Sequence, residues 1–211
     1  MKRPRRAGAV ALLIAVAACA EALAPSRTPR NDPSDPLTGE IFRWPAGRIP
    51  VRYFVDGRGT LPALVGRGLD VWERQFLYGE FRAVIVGDST AADVIVLWQD
   101  SVPPDVPPDT AGAVGACAGV TTYLIDSTNT ITDPLRVSIR PNPGFTLAQV
   151  AACLPRVTAH ELGHTLGILS HSGGTTDLMF GTPRVDTPSA IDRATAEVLY
   201  HTQPTIAPPP P

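Results

Sequence analysis

The chain has 211 residues, of which 44% are hydrophobic and 18% charged, so it is long enough to form one domain with a substantial core. Its formal net charge is −2 at pH 7, and removing the four basic residues of an N-terminal segment would leave 14 basic against 20 acidic residues, a charge of −6. This acidic balance argues against nucleic acid as a partner. The single lysine, Lys2, lies in that segment. The mature chain would therefore contain no lysine, which excludes lysine-based Schiff-base chemistry.

Residues 1–18 have the pattern of a secretory signal segment. Basic residues at positions 2, 3, 5 and 6 precede a short apolar run that extends from Ala7 to Ala18. The end of this run, Val16-Ala17-Ala18-Cys19, resembles a bacterial lipobox, in which the cysteine carries lipid and becomes the new N-terminus. We therefore predict an exported cell-envelope lipoprotein anchored through Cys19, with secretion as a soluble protein as the alternative.

Proline-rich segments flank the predicted domain. Residues 19–40 contain four prolines among small and charged residues and predict a flexible tether. Residues 204–211 end in four prolines and predict a disordered or extended tail. The domain is predicted at residues 41–203, and none of its stretches is long and apolar enough to span a bilayer.

The domain is predicted to have an α+β fold. Alternating or continuous apolar patterns indicate strands at 48–56, 81–87, 92–99, 114–125 and 134–140. The strand at 92–99 is more continuously apolar and is expected near the centre of the sheet. Helical spacing of apolar residues indicates a helix at 60–79, and a loop rich in proline and glycine is expected at 101–119.

Two further helices are predicted in the last third of the chain. Thr146 can cap the first of them. Pro155 is expected to break or kink this helix, or to start a new turn before Arg156, ahead of the histidine motif described below. Ser189 is expected to cap a final helix.

The sequence HELGHTLGILSHS, which begins at residue 160, holds three of the four histidines of the chain. Residues four apart lie on one face of a helix, so His160 and His164 can offer two imidazole nitrogens to one ion. Glu161 follows the first of these ligands, where a general base for a zinc-activated water must lie. Gly167 can end the helix in the left-handed conformation, which lets His171 return as a third zinc ligand.

This stretch resembles the zinc-binding motif of the metzincin metalloproteases, and among them the matrixin-like bacterial peptidases. The sequence Asp177-Leu178-Met179-Phe180 resembles their Met-turn, with Met179 eight residues after His171. The usual pattern places the third histidine three residues after the glycine; here that position is Ser170, and His171 comes one residue later. The resemblance implies a zincin-type catalytic domain with a mixed twisted sheet, an active-site helix, a Met-turn and a C-terminal helix.

The resemblance also implies a function. The protein would be a monomeric zinc endopeptidase that acts on a peptide or protein, with one zinc on His160, His164 and His171 and with Glu161 as general base. The edge strand within 114–125 would pair with the substrate backbone, and residues 180–188 would wall a substrate pocket. Structural calcium is also implied, although no ligand loop stands out. The alternative is a non-catalytic, zinc-stabilised cell-surface binding protein with a degenerate protease domain.

The cysteines indicate one disulfide bond. If Cys19 carries lipid, Cys117 and Cys153 remain as an even pair, and export favours a bond between them. Two buried free thiols are the alternative. The bond would tie the loop near residue 117 to the helix that leads into the histidine motif.

Overall fold

The computed structural model describes residues 30–99 and 115–209. The predicted signal segment and Cys19 lie outside these ranges, as do residue 100, residues 101–114 of the predicted loop and the last two residues. Within the described ranges, no helix is both long enough and apolar enough to cross a bilayer.

The described residues form an α+β fold with a mixed five-stranded sheet and three helices. The strands are β1 (Val51–Val55), β2 (Ala83–Val86), β3 (Val94–Trp98), β4 (Cys117–Thr122) and β5 (Leu135–Pro141). The helices are α1 (Leu61–Glu73), α2 (Leu147–Thr165) and α3 (Ala190–Tyr200). Every predicted strand and helix is present, and most strands are shorter than the apolar patterns indicated.

The strands follow the order β2-β1-β3-β5-β4 across the sheet. β1 pairs in parallel with β2 and β3, and β3 pairs in parallel with β5. β3 therefore lies at the centre, as its continuous apolar sequence predicted. β4 runs antiparallel to β5 and forms one edge, which confirms the edge strand predicted within 114–125.

Helix α2 packs against α1 and against strands β4 and β5. Trp72, which is fully buried in α1, donates a hydrogen bond from Nε1 to the Ala159 carbonyl of α2 (2.8 Å). Near the end of α2, the Thr165 carbonyl accepts a hydrogen bond from Trp44 Nε1 (2.8 Å). The Thr165 hydroxyl forms a hydrogen bond with the Tyr53 hydroxyl (2.7 Å). These buried hydrogen bonds join α2 to α1, to β1 and to the segment before β1.

Helix α2 runs without interruption from Leu147 to Thr165. Thr146 caps it as predicted: its hydroxyl accepts from the Gln149 N–H, and the Gln149 side chain accepts from the Thr146 N–H. The predicted break at Pro155 is wrong, since Pro155 lies inside the continuous helix. We attribute the continuity to the packing of α2 on α1 and the sheet, which outweighs the missing backbone hydrogen bond.

Residues 30–40 do not form a free tether. The Pro33 carbonyl accepts a hydrogen bond from the Leu169 N–H (2.8 Å), and Asp35 accepts one from the Tyr123 hydroxyl (3.2 Å). These residues therefore contact the domain that is predicted to begin at residue 41. Composition alone predicts a free segment here, because it does not reveal partners such as Leu169 and Tyr123, which lie far away in the sequence.

Residues 204–209, predicted as part of a free tail, also lie against the domain. Ile206 is only 1% exposed, and its N–H donates to the Ile41 carbonyl (3.0 Å). The Ile131 N–H donates to the Ala207 carbonyl (3.0 Å). A buried isoleucine and backbone hydrogen bonds therefore fix the described part of this segment against the domain that is predicted to end at residue 203.

Asp93 is the centre of a buried ion-pair cluster at the start of β3. Its side chain is 1% exposed and accepts hydrogen bonds from the guanidinium groups of Arg48 and Arg52 and from the Arg52 N–H (2.8 Å). Burial by itself would raise the pKa of Asp93, but the hydrogen bonds from Arg52 and Arg48 outweigh burial and lower it. The cluster joins β1 to β3.

We expect Asp93→Asn to lower the free energy of unfolding by about 2 kcal/mol at pH 7, because two arginines lose their carboxylate. The folded pKa lies below the unfolded value of about 3.9, so this stabilisation is complete above the unfolded value and is lost as the pH falls through the folded pKa. Urea unfolding between pH 7 and pH 2 should show the difference from wild type shrinking in acid. Asp70→Asn, which alters an exposed pair, is the control. An equal difference at every pH would contradict this role.

Candidate metal centre

Helix α2 carries two histidines, His160 and His164, whose Nε2 atoms face each other. The Nδ1 of His160 lies 2.8 Å from the Leu178 carbonyl, and the Nδ1 of His164 lies 2.6 Å from the Ile168 carbonyl. A carbonyl only accepts hydrogen bonds, so each Nδ1 must carry the hydrogen and each neutral ring has a lone pair on Nε2. These two Nε2 atoms are 3.1 Å apart.

Two lone pairs facing each other at this distance repel unless a positive charge lies between them. Burial lowers the pKa of His160 to about 4. Burial, together with the nearby His160 and His171, lowers the pKa of His164 well below its ordinary value. Burial therefore disfavours a shared proton as the source of that charge. Nitrogen ligands at about 2.0–2.1 Å from a tetrahedral ion are about 3.3 Å apart, so the observed separation fits a metal ion.

The third histidine comes from the loop after α2. Gly167 ends the helical stretch with a φ of +110°, as predicted, and a side chain there would collide with the Phe42 carbonyl. The chain turns at this residue and brings the His171 ring to 5.2 Å from that of His160 and 5.1 Å from that of His164. One ligand atom from each histidine lies within 4.8 Å of the others, so the three are close enough to bind one metal ion.

Ser170 occupies the position where the metzincin pattern has its third histidine. Its hydroxyl donates to the Asp32 carbonyl, and the preceding Leu169 N–H donates to the Pro33 carbonyl (2.8 Å). Asp32 and Pro33 thus form hydrogen bonds with the two residues before His171.

Glu161 lies beside the histidine cluster. Its side chain is 4% exposed, and its Oε2 accepts a hydrogen bond from the Thr121 hydroxyl (2.8 Å). Burial raises the pKa of Glu161 to about 8, and the hydrogen bond from Thr121 offsets only part of that rise. A cation held by the neighbouring histidines would favour the ionised carboxylate.

A cavity of about 120 Å³ opens beside the cluster. Its lining residues are Val120, Thr121, Tyr123, Glu161, His164, Leu169 and His171. A molecule bound there would contact the carboxylate and two of the histidines together. The sequence analysis missed Thr121, Tyr123 and Leu169, although alternation along the edge strand places residues 121 and 123 on one face. The predicted wall at 180–188 does not line this cavity.

Met179 lies in a tight turn against helix α2, which carries the histidine motif. The Phe180 N–H donates to the Asp177 carbonyl (3.3 Å), which closes a turn with Met179 near its centre. Met179 is 1% exposed and occupies space that Gly163 leaves free, because a side chain at Gly163 would collide with Met179 and Trp72. The turn therefore packs directly on the residue that precedes His164.

Asp192, which is fully buried in α3, holds this turn in place. Its carboxylate accepts hydrogen bonds from the N–H groups of Leu178 (2.7 Å), Met179 (3.2 Å) and Ser189 (2.8 Å). The carbonyl of Leu178 bonds to Nδ1 of His160, so Asp192 orients the first histidine through the turn. The sequence analysis did not single out Asp192, and its one signal was the position three residues after the capping serine.

We expect Asp192→Asn to weaken metal binding by about 10- to 100-fold, because an amide cannot accept all the hydrogen bonds that orient the turn. Competition with a chelator of known affinity measures this change. Asp186→Asn alters an exposed carboxylate before α3 and should leave the affinity unchanged. Equal affinities for wild type and Asp192→Asn would show that the turn does not orient the histidine.

Cys117 and Cys153 form a disulfide bond, as the cysteine count predicted. The bond joins the start of β4 to α2, and therefore joins the strand that lines the cavity to the helix that carries the histidines. Closing a loop of 36 residues stabilises a fold by about 4 kcal/mol in the chain-entropy model.

No protein-family model matches the sequence, and no curated protein matches it. The functional interpretation therefore rests on the geometry of the histidine cluster, the carboxylate and the cavity.

Proposed function

We propose that the protein is a zinc-dependent endopeptidase of the metzincin type, similar to the matrixin-like bacterial peptidases. The observation that carries the proposal is the convergence of three histidines: the Nε2 atoms of His160 and His164 are 3.1 Å apart, and one ligand atom from each of these two and His171 lies within 4.8 Å of the others. Three neutral imidazoles suit zinc, and catalytic zinc sites use three protein ligands and leave one position open.

The arrangement of the domain supports the same proposal. The motif helix α2, the turn at Met179 and the final helix α3 follow one another in the order that the family resemblance implies. Strand β4 pairs with β5 on one side only among the described strands, and it borders the cavity. Such an edge can receive an extended peptide by strand addition.

In the proposed mechanism, His160, His164 and His171 would hold the zinc, and a zinc ion there would supply a Lewis acid for a water and for the substrate carbonyl. Glu161 accepts the proton of the attacking water and then passes it to the nitrogen of the leaving amine. The Leu178 carbonyl keeps His160 in the tautomer that offers Nε2.

Digestion of a mixed peptide library by the purified protein, with and without a chelator, tests the function. We expect cleavage that stops on chelation and returns when zinc is added. Circular dichroism of the chelated protein should still show a folded chain, because catalytic metal is not the main support of this core. A zinc-loaded protein that cleaves no peptide would instead favour the zinc-stabilised binding protein.

We also propose an exported protein that is anchored in the cell envelope through a lipid on Cys19. The pattern of residues 1–19 supports this location, and the bond between Cys117 and Cys153 agrees with an oxidising compartment. In this location the substrate would be a peptide or an exposed segment of a protein.

A further inference from the structure

We propose that Thr121 is a positioning residue that holds the Glu161 carboxylate in place for proton transfer. This inference rests on the proposed function, because it concerns the base of that same reaction. Thr121 lies on the edge strand β4, 40 residues before Glu161, and it touches the base rather than the histidines.

The Thr121 hydroxyl contacts Glu161 at two points. It lies 2.8 Å from Oε2 and 3.0 Å from the backbone carbonyl of the same residue. Within the described part of the chain, the Thr121 hydroxyl is the group that donates a hydrogen bond to the Glu161 carboxylate. Because one hydroxyl spans the backbone and the carboxylate, it restricts rotation of the glutamate side chain relative to helix α2.

Gly119 brings the strand close enough for this contact. A Cβ at Gly119 would lie 2.7 Å from Oε1 of Glu161 and 2.7 Å from Cγ1 of Val157, distances that real Cβ atoms do not tolerate. Residues 119 and 121 lie on the same face of β4. One strand therefore confines both carboxylate oxygens, Oε1 by close packing against Gly119 and Oε2 by the hydrogen bond from Thr121.

The position of β4 relative to the helix is itself fixed. The bond between Cys117 and Cys153 joins the strand to α2. The Thr121 hydroxyl therefore sits on a strand that is covalently tied to the helix that carries Glu161. Such fixed geometry is what a proton-transfer group requires, since small displacements of a catalytic group reduce rates strongly.

The hydroxyl can also keep this contact while the proton moves. When Glu161 is ionised, Thr121 donates to Oε2. When Oε2 carries the proton taken from water, it can donate to Oγ1 of Thr121, and the Thr121 hydrogen can turn to the Glu161 carbonyl at 3.0 Å. The carboxylate keeps a hydrogen-bond partner in both states and does not need to leave its position.

Three variants test the proposal through steady-state kinetics. Thr121→Val keeps the shape but removes the hydroxyl, and Thr121→Ser keeps the hydroxyl. Thr60→Val is the matched control, because Thr60 is an exposed threonine before α1 whose side chain makes no capping hydrogen bond. We expect Thr121→Val to lower kcat by about 10- to 100-fold, with KM within about threefold and zinc content unchanged. Thr121→Ser should recover kcat to within about threefold, and Thr60→Val should match wild type.

A second readout does not depend on activity. In the metal-free protein, Thr121→Val should lower the thermal unfolding midpoint in the wild-type background but less in a Glu161→Ala background, because the contact with Oε2 is already lost there and only the contact with the backbone carbonyl of residue 161 remains. If the wild type cleaves no peptide, the proposed function fails while this cycle still measures the contact. Wild-type kcat in Thr121→Val, a loss confined to KM, or additive midpoint shifts would overturn the positioning role.

Discussion

Glu161→Gln should lower peptide hydrolysis by about 1,000-fold or more while the protein keeps its zinc. Glutamine has nearly the shape of glutamate and can accept the hydrogen bond from Thr121, but it cannot take a proton from water. The site of Glu161 is 4% exposed, so bulk buffer does not readily replace the missing base. Turnover of a library-derived peptide, together with metal analysis of the same sample, measures both quantities.

The matched control is Glu197→Gln, which alters an exposed glutamate on α3 that pairs with Arg193. It should retain wild-type turnover and zinc. Cleavage at the normal rate by Glu161→Gln would remove Glu161 as the base. Loss of zinc from that variant would instead indicate that the carboxylate is a ligand.

His171→Ala should weaken zinc binding by more than about 100-fold, a larger loss than that caused by removing groups that only orient a ligand. The cluster has three ligand atoms within 4.8 Å of one another, and His171 supplies the one that does not come from α2. Titration of metal-free protein against a competing chelator measures the affinity.

Two other substitutions serve as controls for His171→Ala. Ser170→Ala removes a hydroxyl that bonds to the Asp32 carbonyl and is not part of the cluster, so zinc affinity should change little. His201→Ala removes the histidine at the end of α3, whose Nδ1 bonds to the Glu197 carbonyl (2.7 Å), and it should bind zinc as wild type does. Wild-type affinity in His171→Ala, or its loss in Ser170→Ala, would contradict the assigned ligand set.

The parts of the site that depend on local geometry could be predicted from the sequence. The helical repeat places His160 and His164 on one face whatever the rest of the fold does. Gly167 could be predicted as the helix end because a positive φ favours glycine. The approach of His171 needed one further assumption, that the chain turns back after Gly167.

The parts that depend on contacts distant in sequence could not be predicted in this way. Thr121 meets Glu161 across 40 residues, and nothing in the pattern of β4 indicates a partner for its hydroxyl. In the sequence, Asp192 is an ordinary first-turn residue of a capped helix. Its hydrogen bond from the Met179 N–H depends on how the turn packs against the final helix. Side-chain partners of this kind are set by how the elements pack.

The two flanking segments show why composition overestimated flexibility. Residues 30–40 and 204–209 are rich in proline and polar residues, which predicts free chain when only local preference is considered. The structure instead buries Pro33 and Ile206 against the domain and pairs their neighbours with distant backbone groups. A few backbone hydrogen bonds and one buried apolar side chain are sufficient to order such a segment.

X-ray absorption at the zinc edge, on protein purified without added chelator, tests the central claim most directly. We predict one zinc per chain with three nitrogen ligands at about 2.0–2.1 Å and one oxygen, and we predict that the His171→Ala protein lacks this signal. Protein that binds no zinc, or zinc held by four protein ligands with no oxygen, would contradict the proposed catalytic centre.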